Sequence, residues 1–240
     1  MHETSNDKQG STIMHKLRLL QFIAALAYSI FGTVGPGNAQ DPQKLVEDSA
    51  ALAKSLLADP VWAIYQEQFR QAKGVVIAPD ILKAGLLVGA GGGQCLVLAR
   101  NESGTNGWSS PSFCGIGEAS IGLQIGIQKL EVMLLVMNEQ ALQYIASGTA
   151  TLGGEAGMSV GLIGSTIESS TTLNLDYDIV AFARGKGFYG GVVLDGGYIG
   201  PDKAYNKAYY GRAITAKQIL FSDTSDNGRA TTLQAALATQ

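Results

Sequence analysis

Ser120-Ile121-Gly122-Leu123-Gln124-Ile125-Gly126-Ile127-Gln128 alternates branched apolar residues with Gly and Gln. Period two marks a strand with one apolar face and one small or polar face, so residues 119–128 predict a half-buried strand. Shorter runs of the same kind occupy 74–78, 84–90, 94–100, 108–114, 131–137, 158–163, 169–176, 179–184 and 187–194. Many of the 31 Gly fall inside and between these runs, with no three-residue period and no Gly/Ser tract. They read as bulges, tight bends and close backbone approaches in a sheet, not as linkers or collagen.

Helical spacing is confined to three places. Leu45, Leu52 and Leu56, with Val46, Ala53 and Leu57, recur at three and four residues over 41–58. Asp59-Pro60 then stops that helix and starts another, with Val61, Ile64, Tyr65, Phe69 and Ala72 on one face. A short helix begins at Asn138, turns Leu142 and Ile145 inward, and stops at Gly148. The first helix is acidic (Asp41, Glu47, Asp48), whereas membrane-surface helices are basic, so both N-terminal helices are expected to cover a sheet. The fold class is therefore α+β: a Gly-rich antiparallel sheet, a sandwich or open barrel, covered by N-terminal helices and one internal helix. The stretch 222–240 is polar and poor in aromatics, and reads as a disordered tail.

Charge and composition narrow the function. The 240 residues are 46% apolar and 15% charged, with net charge −3, which excludes a disordered chain and disfavours non-specific nucleic-acid binding. Lys16 and Arg18 precede an apolar run, 19–31, and small residues precede Gln40, which is the pattern of an export signal cut after Ala39. Residues 1–13 read as an extension upstream of the true start at Met14. The localisation expected is export, to the periplasm or outer envelope of a bacterium. The domains expected are a signal over 1–39, helices over 41–72, a β-rich domain over 73–221 and the tail. Both His residues, His2 and His15, would leave with the signal, removing His triads, His bases and His metal ligands. No enzyme activity, cofactor or metal is expected.

Gly89-Ala90-Gly91-Gly92-Gly93 lacks the Lys-Ser/Thr and the following helix of a phosphate loop. Glu118, Glu131, Glu155, Asp176, Asp178 and Asp195 could serve a His-free hydrolase, but no spacing singles out a pair. Asp176-Tyr177-Asp178 lacks the Gly and closing Glu of a calcium loop. Cys95 and Cys114 fall opposite one another in a hairpin folded about Gly104–Thr105; they read as a disulfide, with two buried free thiols as the alternative. Arg184-Gly185-Lys186-Gly187-Phe188-Tyr189 reads as a hairpin tip that sets two cations beside two aromatics, suited to an anionic head group next to apolar chains, or as an ordinary solvated turn. Lys73 and Lys83 flank the first strand and would join the same surface.

Several stretches, taken in order, resemble the SYLF domain family. They are Ala72-Lys73-Gly74-Val75-Val76-Ile77-Ala78-Pro79, Lys83-Ala84-Gly85, Gly91-Gly92-Gly93 and Gly107-Trp108-Ser109 with Pro111-Ser112-Phe113. Ser120 to Gln128, Leu134-Leu135-Val136-Met137-Asn138, Ala181 to Val192, Asp195-Gly196-Gly197 and Asn206-Lys207-Ala208-Tyr209-Tyr210-Gly211 continue the match over 45–220. The resemblance implies a non-enzymatic domain that binds lipid, phosphoinositides in eukaryotic members, and bundles actin through an N-terminal extension. For this chain it implies binding of anionic lipid, with Arg184, Lys186, Lys73 and Lys83 at the head group and Phe188 and Tyr189 as apolar neighbours. Actin is not expected as a partner of an exported chain without that extension. A structural or scaffold role with an envelope protein as partner is the alternative.

Overall fold

The computed structural model describes residues 41–85, 88–121, 126–153, 157–162, 177–185, 188–189, 197–222 and 228–238. The export-signal reading, the strand over 169–176 and most of the run 187–194 therefore lie outside the described residues.

Asp41 caps helix α1 (Pro42–Leu57): its carboxylate accepts the Gln43 N–H at 3.0 Å, and Pro42 fills the first turn. Leu45, Val46, Leu52, Ala53 and Leu56 form its buried stripe. After Asp59 the chain does not restart as an α-helix but makes a 3₁₀ helix (Pro60–Tyr65), followed by α2 (Gln66–Gln71). Three residues per turn put Trp62 and Tyr65 on one side, where their rings meet edge to face at 5.6 Å. Asn138 caps α3 (Glu139–Ser147) by accepting the Ala141 N–H, and Gly148 ends it with φ 77°.

Four long strands carry the sheet: β1 (Gly74–Gly85), β2 (Val88–Thr105), β3 (Ser112–Ile121) and β4 (Gly126–Val136). They merge the short runs read from the sequence, and they break the predicted 119–128 strand, whose two ends belong to β3 and β4. Short strands follow: β5 (Ala150–Leu152), β6 (Val160–Leu162), β7 (Ile179–Gly185), β8 (Phe188–Tyr189) and β9 (Gly197–Pro201). The order is β5-β9-β3-β2-β1-β4-β7-β6, with β8 also on β7. Pairing is antiparallel except for β6 with β7. A parallel bridge between Leu152, at one end of this order, and Met158, just before the strand at the other, leaves the sheet nearly closed into a barrel. A bulge at Pro79-Asp80 shifts the register of β1 against both neighbours.

Alternation along the strands sorts the core into two. Val76, Ala78, Val97, Ala99, Val132, Leu134, Ala181 and Ala183 share one cluster with Leu152, Met158 and Ile199, and with Leu142 and Ile145 of α3. Residues at both ends of the sheet join this cluster, so it fills the concave inside. Val75, Ile77, Leu96, Leu98, Met133, Leu135, Val180 and Phe182 face the other way, onto α1, Trp62, Tyr65, Phe69 and Trp108.

Three further helices were not expected: α4 (Lys203–Tyr210), α5 (Ala216–Phe221) and α6 (Thr231–Ala238). The last corrects the reading of 222–240 as a disordered tail. Leu233 and Leu237, one turn apart, are buried in the outer core with α1. Gln234 donates to the carbonyls of Trp108 and Ser109. A polar, aromatic-poor segment is stable here because two leucines on one face are enough once a hydrophobic helix is there to receive them.

The β2–β3 turn also departs from expectation, lying at Asn106-Gly107, both at positive φ (55° and 79°), not at Gly104–Thr105. The register still sets Cys95 opposite Cys114; their Cα atoms are 4.9 Å apart and a disulfide joins them on the inner face. With a sequence separation of 19, reduction, or replacement of both by Ala, is expected to lower stability by about 3 kcal/mol. Urea unfolding with and without reductant measures the difference.

Candidate functional site

Of the sequence-predicted cations, the described ones, Lys73, Lys83 and Arg184, do not share one surface. Lys73 precedes β1 and Lys83 lies near its other end, ten residues or roughly 30 Å away along the strand. Arg184 sits on the outer face of β7, directly opposite Glu131 of β4. Its Nε and NH2 both donate to Glu131 Oε2 at 2.6 Å, and NH1 donates to Ser55 Oγ of α1 at 2.9 Å. One side chain thus ties β7, β4 and the end of α1. Lys186 lies outside the described residues. Phe188 and Tyr189 pair through their backbones with Gly185 and Arg184, and their side chains lie outside the description.

Lys83 points the opposite way, into the barrel. Lys83, Gly91 and Glu118 form one row across β1, β2 and β3. Gly91 has no side chain, so Lys83 Nζ reaches over it to Glu118 Oε1 at 2.5 Å, with the two side chains only 12% and 4% exposed. A Cβ on Gly91 would stand 2.8 Å from Lys83 Cγ and 3.3 Å from Glu118. That contact explains one glycine of the 89–93 run without any phosphate. It also separates the carboxylates considered for hydrolysis: Glu118 is inside, Glu131 is outside, and each is held by a cation. Glu155, Asp176 and Asp195 lie outside the described residues. Among the described residues no cluster of His, Cys, Asp and Glu could hold a metal.

Among the described residues, no helix covers the outer face beyond Arg184. Helix α1 spans about 24 Å and ends at the Arg184–Glu131 row, through Ser55. The strands run on past it. Leu82, Ala84, Ile127 and Lys129 lie together on this far outer face, Leu82 opposite Lys129 and Ala84 opposite Ile127. Ile127 is 75% exposed and Leu82 47%. Lys129 reaches Asp80 at 2.8 Å across the surface. The apolar side of the 119–128 alternation therefore emerges at Ile127 into solvent. Sequence periodicity finds such a face but does not say whether a helix covers it.

Two other polar groups join separate segments of the fold. Arg100 lies 4.4 Å over the Trp108 ring and donates to the carbonyls of Phe69 and Ala72, closing the end of α2. Its guanidinium pKa is lowered by burial. Asp178 joins three segments at the other end of the sheet: Oδ1 accepts Asn138 Nδ2 at 2.7 Å, and Oδ2 accepts the Ser159 N–H and hydroxyl at 2.8 and 2.9 Å. Partial burial pushes its carboxyl up, but these donors outweigh burial and hold it below the usual aspartate range.

The family profile described as Ysc84, a Las17-binding protein actin regulator, matches residues 117–240. The chain belongs to the Ysc84 family. The resemblance to the SYLF domain family read from the motifs is the same relationship. Human SH3 domain-containing YSC84-like protein 1 is 34% identical over 155 residues, covering 64% of this chain and 44% of the relative. Protein YSC84 of Saccharomyces cerevisiae is 30% identical over 154 residues, 63% of this chain and 32% of its own length. LAS seventeen-binding protein 3 of the same species is 32% identical over 154 residues, 63% and 33%. The chain thus spans less than half the length of these relatives. The family's description as an actin regulator overturns the expectation that actin is not a partner. That expectation followed from the export reading, which lies outside the described residues.

Two outcomes test the charged rows. Lys83→Met strands the Glu118 carboxylate inside the barrel and should cost roughly 3 kcal/mol, most of it recovered in the Lys83→Met/Glu118→Leu double variant, as read by chemical unfolding. Because the Asp178 pKa is lower folded than unfolded, its contribution is complete above the ordinary aspartate value, about 3.9, and is lost as pH falls below it. Thermal unfolding across that range should fall more steeply for the wild type than for Asp178→Asn.

Proposed function

We propose that the chain is a non-enzymatic docking module whose far outer face binds anionic lipid surfaces. The observation that supports this is Ile127, exposed at 75% beside exposed Leu82, with Lys129 and Arg184 on the same face. An isolated exposed apolar residue is ordinary, but two adjacent ones rimmed by cations suit the boundary between acyl chains and head groups. Burying each of the two side chains would contribute up to about 2 kcal/mol. Each cation near an anionic surface adds about 1 kcal/mol, less where a carboxylate already holds it, as Asp80 and Glu131 do here. The apolar term leads, so binding is reversible and only moderately sensitive to salt.

A second reading follows from the family: an actin-regulating role, with actin or a Las17-like protein as partner. One experiment separates the two. Leu82→Asp/Ile127→Asp should abolish co-sedimentation with phosphatidylserine vesicles while leaving the thermal midpoint within a few degrees, since both residues are exposed. Undiminished vesicle binding by this variant would overturn the lipid reading. Co-sedimentation with actin filaments in the absence of lipid would support the second.

A further inference from the structure

At the end of β1–β4 remote from Ile127, an open cleft of about 420 Å³ lies between α3 and the seam that closes the barrel. Gln140, Ala141 and Tyr144 of α3 form one wall, Thr149 and, in β5, Thr151 another. Met158 and Asp178 complete it at the seam. We propose that this cleft binds a primary ammonium group, R–NH₃⁺, with Asp178 as its counter-charge.

Three features of the cleft carry this. Asp178 is the one charged side chain among the described residues lining it, and no Lys or Arg among the described residues forms an ion pair with it. Its three hydrogen bonds come from an amide side chain, a backbone N–H and a hydroxyl, all neutral donors. They hold the carboxylate in place and ionised without cancelling its charge. Two carboxylate oxygens offer about four acceptor positions, so one remains for a further donor.

The rest of the lining suits the same group. Gln140 Nε2 donates to Tyr144 Oη at 2.9 Å, which orients the phenol and leaves the Gln140 carbonyl as an acceptor. With the hydroxyls of Thr149 and Thr151, the cleft offers more acceptors than fixed donors, matching an ammonium with three N–H bonds and no acceptor. The Tyr144 ring and the Met158 thioether provide apolar surface for an attached alkyl chain, and the ring adds a cation–π contribution. A carboxylate ligand would meet Asp178 as a like charge. A sugar would leave that charge without a partner. The amine could come from a free metabolite or from a phosphatidylethanolamine head group, and the chemistry is the same.

The test is amide-resolved NMR titration of the full chain with n-butylammonium, n-butyrate, glucose and ethanolamine. Butylammonium and ethanolamine should give saturable millimolar shifts at Gln140, Tyr144 and Thr151, while butyrate and glucose give none. Tyr144→Ala should weaken amine binding roughly two- to fivefold. Thr151→Trp, at an exposed strand position, should block it without unfolding the protein. Leu82→Asp/Ile127→Asp should bind the amine as the wild type does, since those residues lie at the other end of the sheet; the two readings therefore fail separately. Vesicles containing phosphatidylethanolamine that compete with free ethanolamine would identify the lipid as the source, and vesicles that do not compete would identify a soluble amine. Equal shifts from butyrate and butylammonium, no saturable shift from either amine, or full binding by Thr151→Trp would overturn the proposal.

Discussion

The central strands are apolar on both sides, and the rest of the architecture answers that constraint. Val75-Val76-Ile77-Ala78, Cys95 to Ala99, Val132 to Val136 and Ile179 to Ala183 are buried without a break. A strand of this kind cannot leave either face in water, so the sheet needs cover twice over. Outside, α1, α6 and the aromatic cluster around Trp62 and Trp108 supply it. Inside, the sheet covers itself by curling until Leu152 meets Met158, with α3 and α5 filling what remains. Side-chain size follows from this. The concave side takes Ala78, Ala99, Ala181 and Ala183, whereas the convex side takes Ile77, Leu98 and Phe182.

The same alternation assigns the charges. Lys83 and Glu118 fall on inward positions and are paired across Gly91, where they hold three strands in register inside the barrel. Arg184 and Glu131 fall on outward positions and anchor the end of α1. Beyond that anchor the strands outrun their helix, and the apolar side chains that would otherwise be core become surface. The exposed Leu82–Ile127 patch is thus a consequence of unequal element lengths.

Much of this was legible in the residues. The α+β class, the 41–58 helix, the Asn138–Gly148 helix and the pairing of Cys95 with Cys114 depend on local rules: periodicity, capping and hairpin register. The ordered motifs were enough to indicate the family. The readings that did not survive concern relations between distant segments. A lysine's spacing along a strand does not show that the Pro79-Asp80 bulge and the barrel's curvature turn Lys83 inward. Nor does polarity show that Leu233 and Leu237 have α1 waiting for them.

Local chemistry along the chain determined the α+β class, the 41–58 and Asn138–Gly148 helices and the hairpin that pairs Cys95 with Cys114, because caps, turns and periodicity act over a few residues. Which face of each strand is inside, which charges meet, and which apolar residues stay bare was decided only in the tertiary structure. Those outcomes depend on where one element ends relative to another, and that is set by packing among segments far apart in the chain, as the contact between Gln43 and Arg229, 186 residues on, illustrates.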